Sequence, residues 1–244
     1  MKSAGKKRLD QLLVDRGLAD SRQKAQALIL AGSVLVANQK IDKPGHGVAA
    51  DAAIEIIGAL PFVSRGGYKL DAALTHFAID VTGKIAIDIG SSTGGFTDCL
   101  LQRGAARVYA VDVGDTQLDW KVRTDPRVVV RDRTNARHLQ PGDLPELCDI
   151  AVCDVSFISV TLIAPALPPL LHPLGEFIVL VKPQFEVGRA EVGKGGIVRD
   201  AALHAAACEK VSNTFESLGY ITEVMDSPIT GAEGNREFLL HAHR

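Results

Sequence analysis

The chain has 244 residues, of which 46% are hydrophobic and 23% charged, and a net charge of −2. That balance belongs to chains that bury a core, which excludes an intrinsically disordered protein. No apolar run approaches the ~20 residues that a membrane-spanning helix needs. No apolar segment follows the basic start at Met1–Arg8, and Cys99, Cys148, Cys153 and Cys208 form neither a C-x-x-C pair nor a metal spacing. The expectation is a cytoplasmic protein with reduced thiols and no metal site.

Charge is spread unevenly. Residues 1–60 carry nine Lys and Arg against six Asp and Glu, so this segment is basic within an acidic chain. A small basic module ahead of a larger acidic one points to a polyanionic partner for the former. Within it, Leu9, Leu12, Leu13 and Leu18 recur at helical spacing and Gly17 makes a break. Asp20 or Ser21 then caps a second helix that carries Ala25, Leu28 and Ile29 on one face and ends at Gly32. Val34–Val36 reads as a strand, Asn38-Gln39 as a tight turn, Asp42–Gly47 as a loop and Ile54–Ile57 as another strand. Gly58–Phe62 reads as a linker, because Pro61 continues neither helix nor sheet.

From Leu70 onward helix and strand alternate. The apolar patterns predict strands at Ile85–Ile89, Val108–Asp112, Val128–Val130, Ile150–Asp154, Phe177–Val181, Ile221–Asp226 and Phe238–His241. They predict helices over 70–78, 95–103, 116–123, 158–171 and 200–218. Such alternation specifies a doubly wound, mostly parallel α/β sheet, and open sheets of that kind bind ligands at the carboxyl ends of their strands.

Three strand ends carry ligand-type loops. The first runs Asp88-Ile-Gly90-Ser91-Ser92-Thr93-Gly94-Gly95-Phe96-Thr97 into a helix. Gly90 permits a tight turn, Gly94 and Gly95 let backbone approach a ligand at a helix N-terminus, and Asp88 suits the amino group of an amino acid. The second ends in Asp112, where a carboxylate meets ribose hydroxyls. The third is followed by Asp132 and Arg133, placed to flank a purine. Together they point to S-adenosylmethionine. The string Gly188–Gly195 nearly fits a phosphate-binding P-loop, but Gly195 stands where the Mg²⁺-holding hydroxyl belongs. It reads better as a mobile basic loop covering substrate.

Asp154 and Lys182 close consecutive parallel strands. A charge at a strand end is often merely solvated, but two beside a nucleoside-type cleft are candidates for chemistry, with Phe157 nearby either against the cofactor or in ordinary core packing. The arginines at 123, 127, 131, 133 and 137 are interleaved with Asp125 and Asp132. Trp120 is expected to anchor packing.

These residues carry a family resemblance. Lys69, Asp154, Lys182 and Glu237 match the K-D-K-E tetrad of FtsJ-like ribose 2′-O-methyltransferases. The strings Ser64–Lys69, Asp88–Thr97, Cys153–Ser159, Lys182–Glu186 and Gly234–Glu237 resemble the TlyA family of rRNA methyltransferases. Arg8–Leu12 and Ser21–Ala25 resemble a ribosomal protein S-four-type RNA-binding domain. The resemblance implies a Rossmann-like S-adenosylmethionine-dependent methyltransferase sheet over 65–244, a small α+β RNA-binding domain over 1–59 and a linker over 60–64. It implies Lys69, Asp154, Lys182 and Glu237 as catalytic, with Lys182 as general base, assisted by burial and by Lys69 as a second cation, while the two carboxylates orient. Arg8, Arg22, Lys24, Arg65, Arg189 and Lys194 are the expected RNA contacts. The implied substrate is a cytidine in rRNA of the 50S subunit, with the 30S subunit as the alternative. The 50S preference comes from the absence of an extension after Arg244. Competing readings are a catalytically silent ribosome-assembly factor and, from the name hemolysin used in the family, a membrane-lytic protein.

Overall fold

The computed structural model describes residues 6–37, 39–56, 61–115, 117–231 and 234–244. The chain divides into two compact units, Met1–Arg65 and Gly66–Arg244.

In the first unit, β1 (Lys6–Arg8) leads into α1 (Leu9–Asp15) and α2 (Arg22–Leu30), followed by β2 (Val34–Val36), β3 (Gln39–Lys40), β4 (Gly47–Ala49) and β5 (Ile54–Ile56). The helices form where the leucine spacing places them. Gly17 (φ +67°) takes the left-handed turn between them, and the Ser21 hydroxyl accepts from the Lys24 amide to cap α2. Leu9, Leu13, Ala25, Ile29 and Val34 make the core. β1 pairs with β4, and β2 sits between β3 and β5. The strands β1, β3 and β4 span only two or three residues, too few for a pattern to register, which is why the pattern reading treats them as termini and loops. Asn38 of the expected turn, Ile57 of the expected strand and Gly58–Leu60 of the expected linker lie outside the described residues.

The second unit begins with α3 (Gly66–His76), earlier than the expected 70–78, so that Lys69 lies within a helix. Next come β6 (Ile85–Ile89), α4 (Gly95–Gln102), β7 (Arg107–Val111), α5 (Trp120–Arg123), β8 (Val128–Arg131) and β9 (Cys148–Cys153). β10 (Leu171–Val181), α6 (Pro183–Glu186), α7 (Ala201–Ser217), β11 (Ile221–Asp226) and β12 (Phe238–His243) complete it. The seven strands order as β11-β12-β10-β9-β6-β7-β8. All neighbours from β10 to β8 are parallel, and β12 is antiparallel to both β10 and β11. The buried core runs through Ile87, Tyr109, Ala151, Phe177 and Phe215, and the central strands are apolar on both sides, as a covered parallel sheet requires.

Three expectations are corrected. Residues 158–171 do not form one helix but short 3₁₀ turns at Val160–Leu162, Ala164–Ala166 and Pro168–Leu170, because Pro165, Pro168 and Pro169 remove the amide donors an α-helix needs. The helix over 116–123 is reduced to Trp120–Arg123, with Thr116 outside the described residues. Trp120 is 78% exposed and anchors no packing. All four cysteines are free, and Cys99, Cys148 and Cys153 are buried.

Candidate active site

The site is a product of strand register. β6 lies between β7 and β9, so successive connections leave it in opposite directions and open a crevice at its carboxyl end. Ile89 pairs with Cys153, Cys153 with Val179, and Val181 with Phe238. The residue after each of the first three strands, and the one before β12, therefore share a single edge. Gly90, Asp154, Lys182 and Glu237 stand there in adjacent positions, and α3 brings Lys69 to Glu237.

The tetrad resolves into two ion pairs. Lys182 Nζ lies 2.5 Å from Asp154 Oδ1 and donates to Ser156 Oγ at 2.9 Å. Lys69 Nζ donates to Glu237 Oε2 at 2.5 Å, with both side chains buried. This changes the electrostatic expectation. Lys69 is neutralised by its own carboxylate, so it presents no bare cation to Lys182. Asp154 does more than orient, because a carboxylate at this distance stabilises an ammonium directly. Close backbone packing frames the pairs: a Cβ at Gly90 (φ +81°) would lie 2.5 Å from the Asp154 carbonyl oxygen.

Beside the pairs lies a cleft of about 520 Å³, within the usual range for small-molecule sites. Ile89, Val111, Ile158 and Ile163 give it apolar walls, and Asp112 and Asn135 supply polar groups. The Asp112 carboxylate accepts from the Ser92 amide at 2.9 Å and the Gly114 amide at 2.7 Å. Each oxygen has a second lone pair for a hydroxyl donor. An apolar slot with a fixed, hydroxyl-accepting carboxylate fits an adenosine-bearing cofactor. Gly90, Ser92, Asp112, Asp154 and Phe157 of the expected cofactor set line this cleft. Phe157 is 92% exposed, takes φ +66° and packs on Phe185 with centroids 5.4 Å apart.

The other expected cofactor residues stand elsewhere. Asp88 is fully buried; one carboxylate oxygen accepts from the Thr97 hydroxyl at 2.6 Å and the other has no partner among the described residues. Burial pushes its pKa up to about 7, helped by the charges of Asp154 and Asp112. Ser91, Gly94, Gly95, Phe96 and Thr97 are buried and Thr93 is exposed, none of them on the cleft wall. The space beside Gly94 is filled by Leu118 and Val122, so its missing Cβ serves protein packing rather than ligand approach. Asp132 pairs with Arg123 at 3.0 Å, and Arg133 pairs with Asp115. Arg127 pairs with Asp125, leaving Arg137 on the cleft wall.

Among the expected RNA contacts, Arg8 and Arg22 both bond to the buried Asp10, while Arg189 and Lys194 are exposed and Lys24 and Arg65 are half-buried. The near-P-loop opens only a 3₁₀ turn at Arg189–Glu191, which is not the helix a P-loop requires. Its far end is fastened by the buried Asn235, which accepts from the Val198 amide and donates to the Gly196 carbonyl, both at 2.9 Å. The sequence reading missed Ser156, Phe185 and Glu186 as site residues. All three lie inside the strings that carried the resemblance, but nothing in their spacing marked their contacts.

This strand order, with a nucleoside cleft at its switch point and paired lysines on its edge, defines a Rossmann-like methyltransferase. The chain belongs to the FtsJ-like methyltransferase family, which matches residues 62–244, and an S4 domain matches residues 7–54. It is 52% identical over 241 residues to YqxC of Bacillus subtilis (strain 168), covering 98% of this chain and 86% of that one. It is 45% identical over 240 residues to the 16S/23S rRNA (cytidine-2′-O)-methyltransferase TlyA of Mycobacterium tuberculosis, covering 97% and 90%. The 23S rRNA (cytidine-2′-O)-methyltransferase TlyA of Campylobacter jejuni is 35% identical over 182 residues, covering 74% and 70%. A solved structure from Streptococcus thermophilus, which bears the name hemolysin, aligns with a TM-score of 0.76 at 43% identity, covering 99% of this chain and 89% of that one. No helix among the described residues is long and apolar enough to cross a membrane.

Proposed function

We propose that this methyltransferase uses S-adenosylmethionine to methylate the ribose 2′-hydroxyl of a cytidine in rRNA, with 23S rRNA in the 50S subunit as the substrate. The observation that carries this reading is the pair of lysine–carboxylate contacts, Lys182–Asp154 and Lys69–Glu237, on one sheet edge, with Asp154 on the wall of an adenosine-fitting cleft. The names of the two TlyA relatives share 23S rRNA as a target, which favours that subunit.

Asp112 holds the ribose of the cofactor, and the apolar walls hold its adenine. S-Adenosylmethionine supplies an electrophilic methyl group and leaves as a neutral thioether. A ribose hydroxyl is a weak nucleophile at neutral pH, so it must lose its proton as it attacks. Lys182, once it has released its own proton to solvent, accepts that proton as the free amine and becomes an ammonium again. Asp154, 2.5 Å away, stabilises the charge as it forms, and the Ser156 hydroxyl fixes the amine's direction. The buried Lys69–Glu237 pair borders the same edge and holds the attacking ribose. Arg8, Arg22, Lys24, Arg65, Arg189 and Lys194 contact RNA phosphates.

The test is transfer of tritiated methyl from S-adenosylmethionine to purified 50S subunits, 30S subunits and free tRNA, with the labelled nucleotide identified by digestion. The expected result is a 2′-O-methylcytidine in 23S rRNA. Label in 30S subunits as well would extend the substrate to 16S rRNA. No label on any RNA, with cofactor binding intact by calorimetry, would overturn the enzymatic reading in favour of an assembly factor.

A further inference from the structure

The geometry points to Glu186 as the positioning residue of the site: one buried carboxylate that locks the turn carrying Lys182 to the turn carrying Asp154. This rests on the assignment of Lys182 as the base.

Glu186 closes α6, the single helical turn that follows Lys182, and it is 7% exposed. Its Oε1 accepts from the Val160 amide at 2.8 Å. Its Oε2 accepts from the Ser159 hydroxyl and from Lys210 Nζ at 3.2 Å. Ser159 and Val160 begin the 3₁₀ turn that ends the Asp154–Ile158 loop. Lys210, on α7, also donates to the Glu186 carbonyl at 2.7 Å, so the carboxylate is compensated from a third element. Between these anchors stand the four groups that define the reacting corner: Asp154, Ser156, Lys182 and the tilted pair of rings Phe157 and Phe185.

The physical logic is preorganisation. Loop residues hold a catalytic geometry only when something buried holds the loops. A charged acceptor that takes three donors from two separate segments is a strong clamp, because charge-assisted bonds are roughly twice as strong as neutral ones. Among the described residues the Glu186 carboxylate bonds to Ser159, Val160 and Lys210 and stands off the cleft wall, so it acts through Lys182 and Asp154. A displacement of the base of about 1 Å costs on the order of 100-fold in rate, while the part of the cofactor cleft walled by Ile89, Val111, Asp112 and Asn135, away from the Asp154–Ile158 loop, is left in place.

The experiment is steady-state methylation of 50S subunits by Glu186→Gln, Glu186→Asp and Lys182→Ala, with melting curves for each. Glu186→Gln is expected to lower kcat by roughly 10- to 100-fold, with the KM values for S-adenosylmethionine and for 50S subunits within about threefold of wild type. Glu186→Asp, which restores the charge, is expected to recover part of that loss. A folded Glu186→Gln protein with wild-type kcat overturns the proposal. So does a loss of rate that only tracks the fraction unfolded. If Glu186→Gln does not fold, Ser159→Ala removes one arm of the clamp, and an unchanged kcat there also overturns it. Wild-type activity in Lys182→Ala would instead overturn the base assignment, which separates the two failures.

Discussion

Carboxylates organise cations in both units, but to opposite effect. In the N-terminal unit Asp10 is wholly buried, while the Arg8 and Arg22 side chains it holds are 54% and 52% exposed. Asp10 accepts from Arg8 through both oxygens and from Arg22 and Gln26 through one, so two cations are aimed outward from a fixed root. At the sheet edge of the second unit the cations themselves are withdrawn: Lys69 is 8% and Lys182 11% exposed. An exposed guanidinium suits a phosphate backbone, where attraction is long-ranged and needs little desolvation. A withdrawn amine suits proton transfer, where low dielectric and a fixed partner make each interaction count. Under the proposed function, cation–carboxylate pairing serves recognition in one unit and chemistry in the other, and the difference between them is burial.

The largest effect should come from breaking the withdrawn pair. Glu237→Gln leaves the Lys69 ammonium buried without its counter-charge, a change that typically costs about 3–5 kcal/mol. Urea unfolding should show that loss in the transition of the second unit, together with a fall in methyl transfer of 100-fold or more on the scale of a lost catalytic group, roughly 10²–10⁴. A variant that unfolds like wild type would mean that the pair is not formed in solution.

The next effect concerns pH. Asp88 has its carboxyl pushed up to about 7 by burial. Between an unfolded value near 4 and the folded value of about 7, the folded protein therefore holds a proton that the unfolded chain has lost. Stability from this group is full below about pH 4 and is lost as pH rises through 7, on the order of 4 kcal/mol in all. Without cofactor, Asp88→Asn should narrow the stability difference between pH 5 and pH 8; an unchanged difference would contradict the assignment.

Asp10 has the opposite sign. Hydrogen bonds from Arg8, Gln26 and Arg22 hold its carboxyl well below the usual range. Its contribution is present above the unfolded value near pH 4 and is lost as pH falls through the folded value. Asp10→Asn should remove roughly 1–3 kcal/mol from the N-terminal unit at neutral pH, read from amide exchange in that unit. The smallest effect is on recognition. Arg22→Gln should weaken binding to 50S subunits and lower the slope of log affinity against log salt by about 1, with kcat unchanged at saturation. A slope equal to wild type would remove Arg22 from the RNA-contacting set.

Much of this was legible in the sequence because the elements that matter are long and apolar. The strand Ile85–Ile89 lies where hydrophobic patterning puts it, and with it the strand end from which the site is built. What patterning could not reach was of two kinds. Runs such as Val160–Leu170 are apolar at helical spacing, yet three prolines veto the helix by removing donors and clashing with the preceding turn. The second kind is pairing. Four charged residues can be named from motifs, but which lysine meets which carboxylate is set by the register of β10 on β12 and by the earlier start of α3. That pairing is what turns Lys69 from a bare neighbouring cation into half of a neutral couple. The same holds for Glu186, whose role depends on a loop returning to it from across β9.

The most direct test of the account is single-turnover methyl transfer to 50S subunits by Lys182→Ala, alongside calorimetric binding of S-adenosylmethionine. The account predicts cofactor affinity close to wild type, because Asp112 and the apolar walls are untouched, with the rate of methyl transfer reduced by roughly 10²–10⁴. A variant that binds cofactor and methylates 23S rRNA at the wild-type rate would contradict it, since the edge pair would then have no part in moving the proton.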